Sequence, residues 1–386
     1  MTGFVVSDED LARAVAVTKK IASVPAGPFK EHNRHPVIQA LLREWVPSLP
    51  FAIDGVGNIV TWLEAAGKAP PIVVSAHLDT VFPLDSVAVS EDDKTVYGAG
   101  TSDDASGLAA ILFVAAKAQA VAEKAGRGVI FAFTVGEEGA GGLRGIRHLL
   151  DFLLGRKEDA ALQKLLPGHA KSRPSCLIAV DGTLATVVTK GLHIKRRKVS
   201  WSGPGGHSWG ASDTPSAILA AAQTICSIYH IRTRCRHTTV NVGTISGGTT
   251  VNSIAANCSF EVEVRSVSRT RAENVMARIA ALAQETSTKL HIPVAVESLD
   301  DRAGGATRSS HKCVKLLEAA LRAEGLNPVR AVSSTEANVA MAEGIPSVAT
   351  GVALGSGIHT LDERFDKASF LQGLRVMLNY VAKMME

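Results

Sequence analysis

A chain of 386 residues exceeds what one ordinary domain core accommodates, so two domains are expected. With 46% hydrophobic and 20% charged residues, the profile is globular and excludes disorder. Lys plus Arg number 41 against 37 Asp plus Glu, and the resulting net charge of +4 is too mild and dispersed for a nucleic-acid or membrane partner.

Asp8, Glu9 and Asp10 lead into a helical pattern over Asp8 to Ile21, not into a basic region with an apolar core, so no signal peptide is expected. A second helix reads from His35 to Trp45. Ile72 to Ala76 is a short apolar run with β-branched residues, the mark of a buried strand. Gly107 to Ala122 is an Ala/Leu-rich helix. Its apolar stretch, Leu108 to Ala122, contains Lys117 and is too short to span a bilayer, so the cytoplasm is the default location. Val129 to Val135 is another buried strand, Leu143 to Leu154 a helix, and Cys176 to Val180 a third strand. Strands alternating with helices imply an α/β fold: a mixed, mostly parallel sheet with helices on both faces.

Near Gly191 the pattern changes. Lys195 to Ser202 alternates polar and apolar residues, and its basic run Lys195-Arg196-Arg197-Lys198 reads as a solvated or edge face. Pro215 to His230 is a helix with Asp213 or Thr214 as N-cap. Strands at Thr238 to Ile245 and Cys258 to Arg265 follow, then a helix at Arg271 to Leu290 and a strand at Ile292 to Val296. This β-α-β-β-α-β order resembles a ferredoxin-like α+β unit. Helices at Lys312 to Glu324 and Ala368 to Met385 return the chain to an α/β pattern. The expected organisation is a larger domain over residues 1–190 and 303–386, interrupted by a small domain at 191–302. The five cysteines (Cys176, Cys226, Cys235, Cys258, Cys313) are odd in number, scattered and without CxxC, against a disulfide framework or a cysteine zinc site.

Four short signatures follow the apolar strands. His77-Leu78-Asp79 places a histidine past a strand end with a carboxylate two residues on, able to orient the imidazole. Asp103-Asp104 sits in the Gly-rich loop Gly98 to Gly107, where adjacent carboxylates are costly unless a cation compensates them. Glu137-Glu138 suits a division of labour in which one ligates and the other moves protons. Asp181-Gly182 follows Val180, and far downstream His359 stands in the loop Gly355 to Thr360. Singly, each has a plain reading: a satisfied polar histidine, a helix cap, a solvated turn, a turn pair. Together they sit at or near the C-terminal ends of strands, where open α/β sheets place ligands, and they point to a metal site. Mixed His and carboxylate ligands without Cys fit zinc, cobalt or manganese better than calcium.

In this order the motifs resemble the M20 family of co-catalytic zinc peptidases and amidohydrolases, over nearly the whole chain from Asp54–Asn58 to His359–Glu363. The resemblance implies two zinc ions per chain, with cobalt or manganese as substitutes. His77, Asp103 and Asp181 would hold one zinc, Asp103 bridging to a second held by Glu138 and His359. Asp79 would stand behind His77, and Glu137 would be the general base. Gly203 to Ser208 resembles the histidine loop of the family's inserted dimerisation or lid domain, which implies a homodimer with His207 reaching the partner's active site. Asn252, in Gly247 to Asn252, and Arg265 match segments that contact substrate in relatives. Asp at position 181 goes with aminopeptidases and dipeptidases, so a short peptide is the expected substrate. An N-acyl amino acid, cleaved by a deacylase, or a carboxypeptidase activity is the alternative. Two positions depart from the family pattern. Ala105-Ser106 replaces a Lys and a small residue, and Glu336 stands where an Asp is common, a difference expected to bear on the substrate pocket.

Two rival readings meet physical objections. Gly206-His207-Ser208-Trp209-Gly210 matches the nucleophile elbow of serine hydrolases, but the following helix is expected to start several residues too late. A non-catalytic binding protein on the same fold would have lost a ligand or base, and all five ligand positions and Glu137 are intact.

Overall fold

Helix α1 (Asp8–Ala22) is fixed by a capping box: the Ser7 hydroxyl accepts the Asp10 N–H, and the Asp10 carboxylate accepts the Ser7 N–H. In the computed structural model, which describes residues 5–232 and 237–386, there follow α2 (His35–Trp45), β1 (Phe51–Ile53), β2 (Ile59–Leu63), β3 (Ile72–His77), α3 (Ser106–Ala122), β4 (Val129–Thr134), α4 (Arg144–Leu153), α5 (Ala160–Leu165), β5 (Cys176–Val180) and β6 (Thr186–Gly191). Then come β7 (His193–Ser202), α6 (Ala217–Arg232), β8 (Thr238–Gly247), β9 (Asn257–Ser266), α7 (Arg269–Leu290) and β10 (Val294–Arg302). The chain ends with β11 (Gly305–Ala306), α8 (Lys312–Ala323), β12 (Val329–Ser333), α9 (Ala337–Ala342), β13 (Ser347–Thr350) and α10 (Lys367–Met385). Cys235 lies outside the described residues. The contacts divide the chain into two units, Met1–Gly191 with Gly305–Glu386, and Leu192–Gly304.

The first unit is built on a sheet of order β1-β2-β4-β3-β5-β13-β6-β11, with β12 also on β6. Its centre is parallel (β4/β3/β5/β13); β1/β2, β2/β4, β13/β6 and β11/β6 are antiparallel, and β12 runs parallel to β6. Each central strand is buried on both faces. Ile72, Val74 and Ala76 of β3 pack with residues of α1, α2, α3, α8 and α10, while Val73 packs with α4, α5 and α9 on the other side. This is the period-two division of a sheet between two helical layers, and each fully buried aliphatic side chain contributes about 1.5–3 kcal/mol. Helix α3 extends the apolar run read from sequence. With the turn before it, Thr101–Ala122 is 22 residues long, enough by length and composition to cross a bilayer, yet 72% of its apolar window is buried as a core helix. A small antiparallel sheet pairs Thr95–Tyr97 with Arg364–Asp366, and the latter with Gly355–Ser356. It brings the His359 loop beside the Gly98–Asp104 loop.

The second unit is a four-stranded antiparallel sheet of order β8-β9-β7-β10, with α6 and α7 packed on it, in the expected β-α-β-β-α-β sequence. Three readings are corrected here. The N-cap of α6 is Ser216, not Asp213 or Thr214: its hydroxyl accepts the Leu219 N–H at 3.4 Å and its carbonyl accepts the Ala220 N–H. Strand β10 starts at Val294 because Ile292 still donates to Ser287 at the end of α7 and Pro293 has no N–H to give a ladder. The basic run of β7 is no edge. It lies between β9 and β10, with Lys195 3.1 Å from Asp301, Arg196 2.8 Å from Glu263 and 3.3 Å from Asp300, and Arg197 2.7 Å from Asp301.

Candidate metal centre

The strand ends of the first unit converge the expected residues. His77 is the last residue of β3, Glu137 and Glu138 follow β4, and Asp181 follows β5. His77 Nε2 lies 3.0 Å from Asp103 Oδ1. The other Asp103 oxygen, Oδ2, lies 3.0 Å from His359 Nε2, which is also 3.0 Å from Glu138 Oε1. Ligand-type atoms of His77, Asp103 and Asp181 lie within 4.8 Å of one another, as do those of Asp103, Glu138 and His359. The two trios share only Asp103. Glu137 forms a further trio with His77 and Glu138 and is buried.

The loops carrying these groups are fixed by buried polar contacts. Asp79 does not orient His77 with its carboxylate. The imidazole Nδ1 instead meets the Asp79 main-chain carbonyl at 3.0 Å, and the carboxylate oxygen is 3.7 Å away. That carboxylate accepts the N–H groups of Glu137 at 3.0 Å and Glu138 at 2.7 Å, so Asp79 joins two of the signatures. Glu363, which gave no separate signal in the sequence, accepts the N–H groups of Gly100, Ser102 and Asp103 at 2.8–2.9 Å and shapes the loop that presents Asp103. Asp104 accepts the His77 N–H at 3.0 Å, and the Asp103-Asp104 peptide is cis. In the Asp54–Asn58 turn, Asp54 accepts three main-chain N–H groups. Asn58 accepts the Val135 N–H at 3.0 Å and donates to the Gly145 carbonyl at 2.9 Å, bracketing the Glu137–Glu138 loop. Glu336 is buried, with its carboxyl beside Ser75 and Thr134, residues of the two strands that end at His77 and before Glu137.

Electrostatics support a cation here. Burial and the negative charge of Asp103 hold Asp181 up at about 7. Hydrogen bonds to Asp103 and Glu138 push His359 up to about 10. Burial draws His77 down, but its hydrogen bond to Asp103 and the charges of Asp104, Asp103 and Asp79 carry it well above its ordinary range. Asp103 is the exception among the acids: burial raises it, and the bonds from His359 and His77 outweigh that and lower it. Groups that compete this strongly for protons, with donor sets of His and carboxylate, fit a pair of divalent cations.

The remaining sequence-derived candidates belong to the inserted unit. His207 is exposed, its Nδ1 accepting the Trp209 N–H at 3.3 Å, and it is paired with Ser253 across a two-residue ladder. Asn252 is exposed and its carbonyl accepts the Ser208 N–H. Arg265 is paired in β9 with Glu263 at 2.5 Å. Ser208 is no nucleophile elbow: α6 begins only at Ala217, so there is no strand-Ser-helix turn.

Residues 73–383 match the model of peptidase family M20/M25/M40. A probable carboxypeptidase of Emericella nidulans is 26% identical over 253 residues, a match covering 61% of this chain and 58%, under two thirds, of the fungal protein. The fold is similar to that of a tripeptidase from Staphylococcus aureus, with a TM-score of 0.79 and 23% identity over 97% of this chain and 98% of that one. It is also similar to a dinuclear metal-binding peptidase of Bacillus subtilis, with a TM-score of 0.71 and 14% identity over 98% of this chain and 99% of that one.

Proposed function

This chain belongs to peptidase family M20/M25/M40, and from that premise we propose that it is a two-zinc enzyme hydrolysing the amide bond of short peptides from their amino end. The observation that carries this reading is the pair of His/carboxylate trios hinged on Asp103, with Glu137 buried beside both. His77, Asp103 and Asp181 hold one cation, and Asp103, Glu138 and His359 the other; cobalt or manganese can replace zinc. Bound there, a pair of such cations would supply Lewis-acid chemistry for amide hydrolysis. Glu137 would be the general base, taking a proton from the attacking water and passing it to the leaving nitrogen. Its loop is held by Asp79 through the main chain, which keeps its carboxylate aimed.

Asp181 favours a substrate with a free amine, and the peptidase names of the structurally similar proteins favour a peptide. A carboxypeptidase is the second reading, favoured by the fungal relative's name. The chain acts as a homodimer in which His207 serves the partner's metal centre by donating a hydrogen bond to the oxygen that gains charge in the transition state. Its exposure in a loop rich in glycine supports this.

The test is to assay metal-loaded wild type and Glu137→Gln on dipeptides, tripeptides, N-acetyl amino acids, N-carbamoyl compounds and peptides blocked at either end. Wild type should cleave di- or tripeptides with a free amine fastest, and Glu137→Gln should be slower by about 10²–10⁴-fold with its metal retained. Cleavage confined to N-acyl or amine-blocked compounds would overturn the substrate, and undiminished Glu137→Gln turnover would overturn the base.

A further inference from the structure

One short turn lies under the metal centre, and its contacts form a closed ring. The 3₁₀ turn Glu31–Arg34 carries two charged side chains that are almost wholly buried, Glu31 at 2% and Arg34 at 0% exposure. Buried charges of this kind are retained only when closely partnered. Arg34 Nη1 donates to the Leu78 carbonyl at 2.8 Å and its Nε to the Val24 carbonyl at 3.1 Å. Leu78 is the residue between His77 and Asp79. Beside it, the Thr80 N–H donates to the Ala26 carbonyl at 2.8 Å, so the turn after β3 is tied to the same N-terminal segment.

Glu31 faces the other way. Its carboxylate accepts Arg144 Nη2 at 2.6 Å, and the Arg144 guanidinium lies 4.9 Å from the centroid of the Phe29 ring. Arg144 is the first residue of α4. It packs on Gly136, whose positive φ of 68° opens the Glu137–Glu138 loop, so closely that a side chain there would have to displace the Arg144 guanidinium. The Leu143 N–H closes that loop on the Gly136 carbonyl at 2.8 Å. Asp79 completes the ring from inside through the Glu137 and Glu138 N–H groups. The Arg34 guanidinium also faces the buried carboxylates of Asp79, Asp104 and Glu363, and although burial lowers it to about 10, it remains a cation.

We propose that the Glu31–Arg34 turn is a positioning device for the metal centre, in which Arg34 fixes the His77–Asp79 turn and Glu31, through Arg144, fixes the Glu137–Glu138 loop, so that ligands from two strand ends keep one spacing. The ligand roles rest on the function proposed above; the turn itself precedes the family-matched residues 73–383. Neither residue touches a ligand atom. Each acts through an intermediate: the Leu78 carbonyl for Arg34, the Arg144 guanidinium for Glu31.

The test is a cobalt(II) titration of the metal-stripped full chain, read by visible absorption, which reports ligand geometry, alongside thermal unfolding of the same samples. Glu31→Gln and Arg144→Gln should each weaken cobalt binding by about 10–100-fold, the range for groups that orient metal ligands. The double variant should bind no worse than the weaker single one, because the pair acts as one contact. Arg34→Met should lose a similar factor with an altered spectrum, and Arg34→Lys should recover part of it. If Arg34→Met does not fold, the Glu31/Arg144 cycle decides. Variants that unfold at lower temperature yet bind cobalt with wild-type affinity and spectrum would show a merely structural turn and overturn the proposal, as would fully additive losses. A wild type that binds two cobalt ions but cleaves no peptide would refute the function, and the cobalt series would still decide the role of the turn.

Discussion

Asp103 is the residue on which both trios turn, and its neighbours show how far single residues were legible. His77, Asp103, Glu137, Glu138, Asp181 and His359 stand out in the sequence only as a set, since each has a plain reading alone and Asp103 and His359 lie in Gly-rich loops, not directly after a strand. The carboxylate of Asp79 was read as facing its sequence neighbour, yet it bonds to main-chain groups nearly 60 positions on, a contact that local spacing does not encode. The proton competition at the centre has a consequence for stability. Asp181 is held at about 7 against an ordinary 3.8, and His359 at about 10 against 6.5. Both bind protons more tightly folded than unfolded. The stability each contributes is therefore full below its ordinary value and is lost as pH rises through the folded one. In chelator, the Tm should fall between about pH 6 and about pH 8, through Asp181 up to about 7 and through His359 from about 6.5 upwards. Added zinc must displace those protons, so the rise in Tm it causes should grow over the same interval. Differential scanning fluorimetry checks this; a chelated protein that gains stability over that interval contradicts the assignment.

At the level of elements, most long amphipathic or apolar segments are readable to within one or two residues, because periodicity is a local property; the strand expected at Ile292 to Val296 runs on to Arg302, six residues further. The hairpin of β1 and β2 and the strands Thr95–Tyr97 and Arg364–Asp366 are not readable, since each is three to five residues long and the last two pair across more than 260 positions. What makes the short elements matter is what their turns hold. Asn58, at the start of β2, satisfies the Val135 N–H and the Gly145 carbonyl on both sides of the Glu137–Glu138 loop. Asn58→Ala leaves the buried Val135 N–H unpaired and should lower stability by about 1–3 kcal/mol, with turnover reduced as the loop loosens. Urea unfolding of metal-loaded protein measures the first effect. A change below about 0.5 kcal/mol, the size of an ordinary surface substitution, would show that the turn is not what brackets the loop.

At the scale of the whole molecule, the switch from βα alternation to a β-α-β-β-α-β order was visible because the inserted strands alternate in pattern while the central strands of the larger sheet are continuously apolar. The placement of His207 in that insertion leads to a complementation test. Inactive His207→Ala and inactive Glu137→Gln chains, mixed and allowed to exchange subunits, should regain activity, because each mixed dimer pairs an intact His207 with an intact partner metal centre. Confirmed exchange without recovery would remove the trans role. The most direct measurement is a zinc titration of the metal-stripped chain with peptide hydrolysis followed at each addition. Hydrolysis should be absent at the start and reach its plateau at about two equivalents per chain, the number of trios that share Asp103. Full hydrolysis without metal, or a plateau at one equivalent, would contradict a two-metal hydrolase.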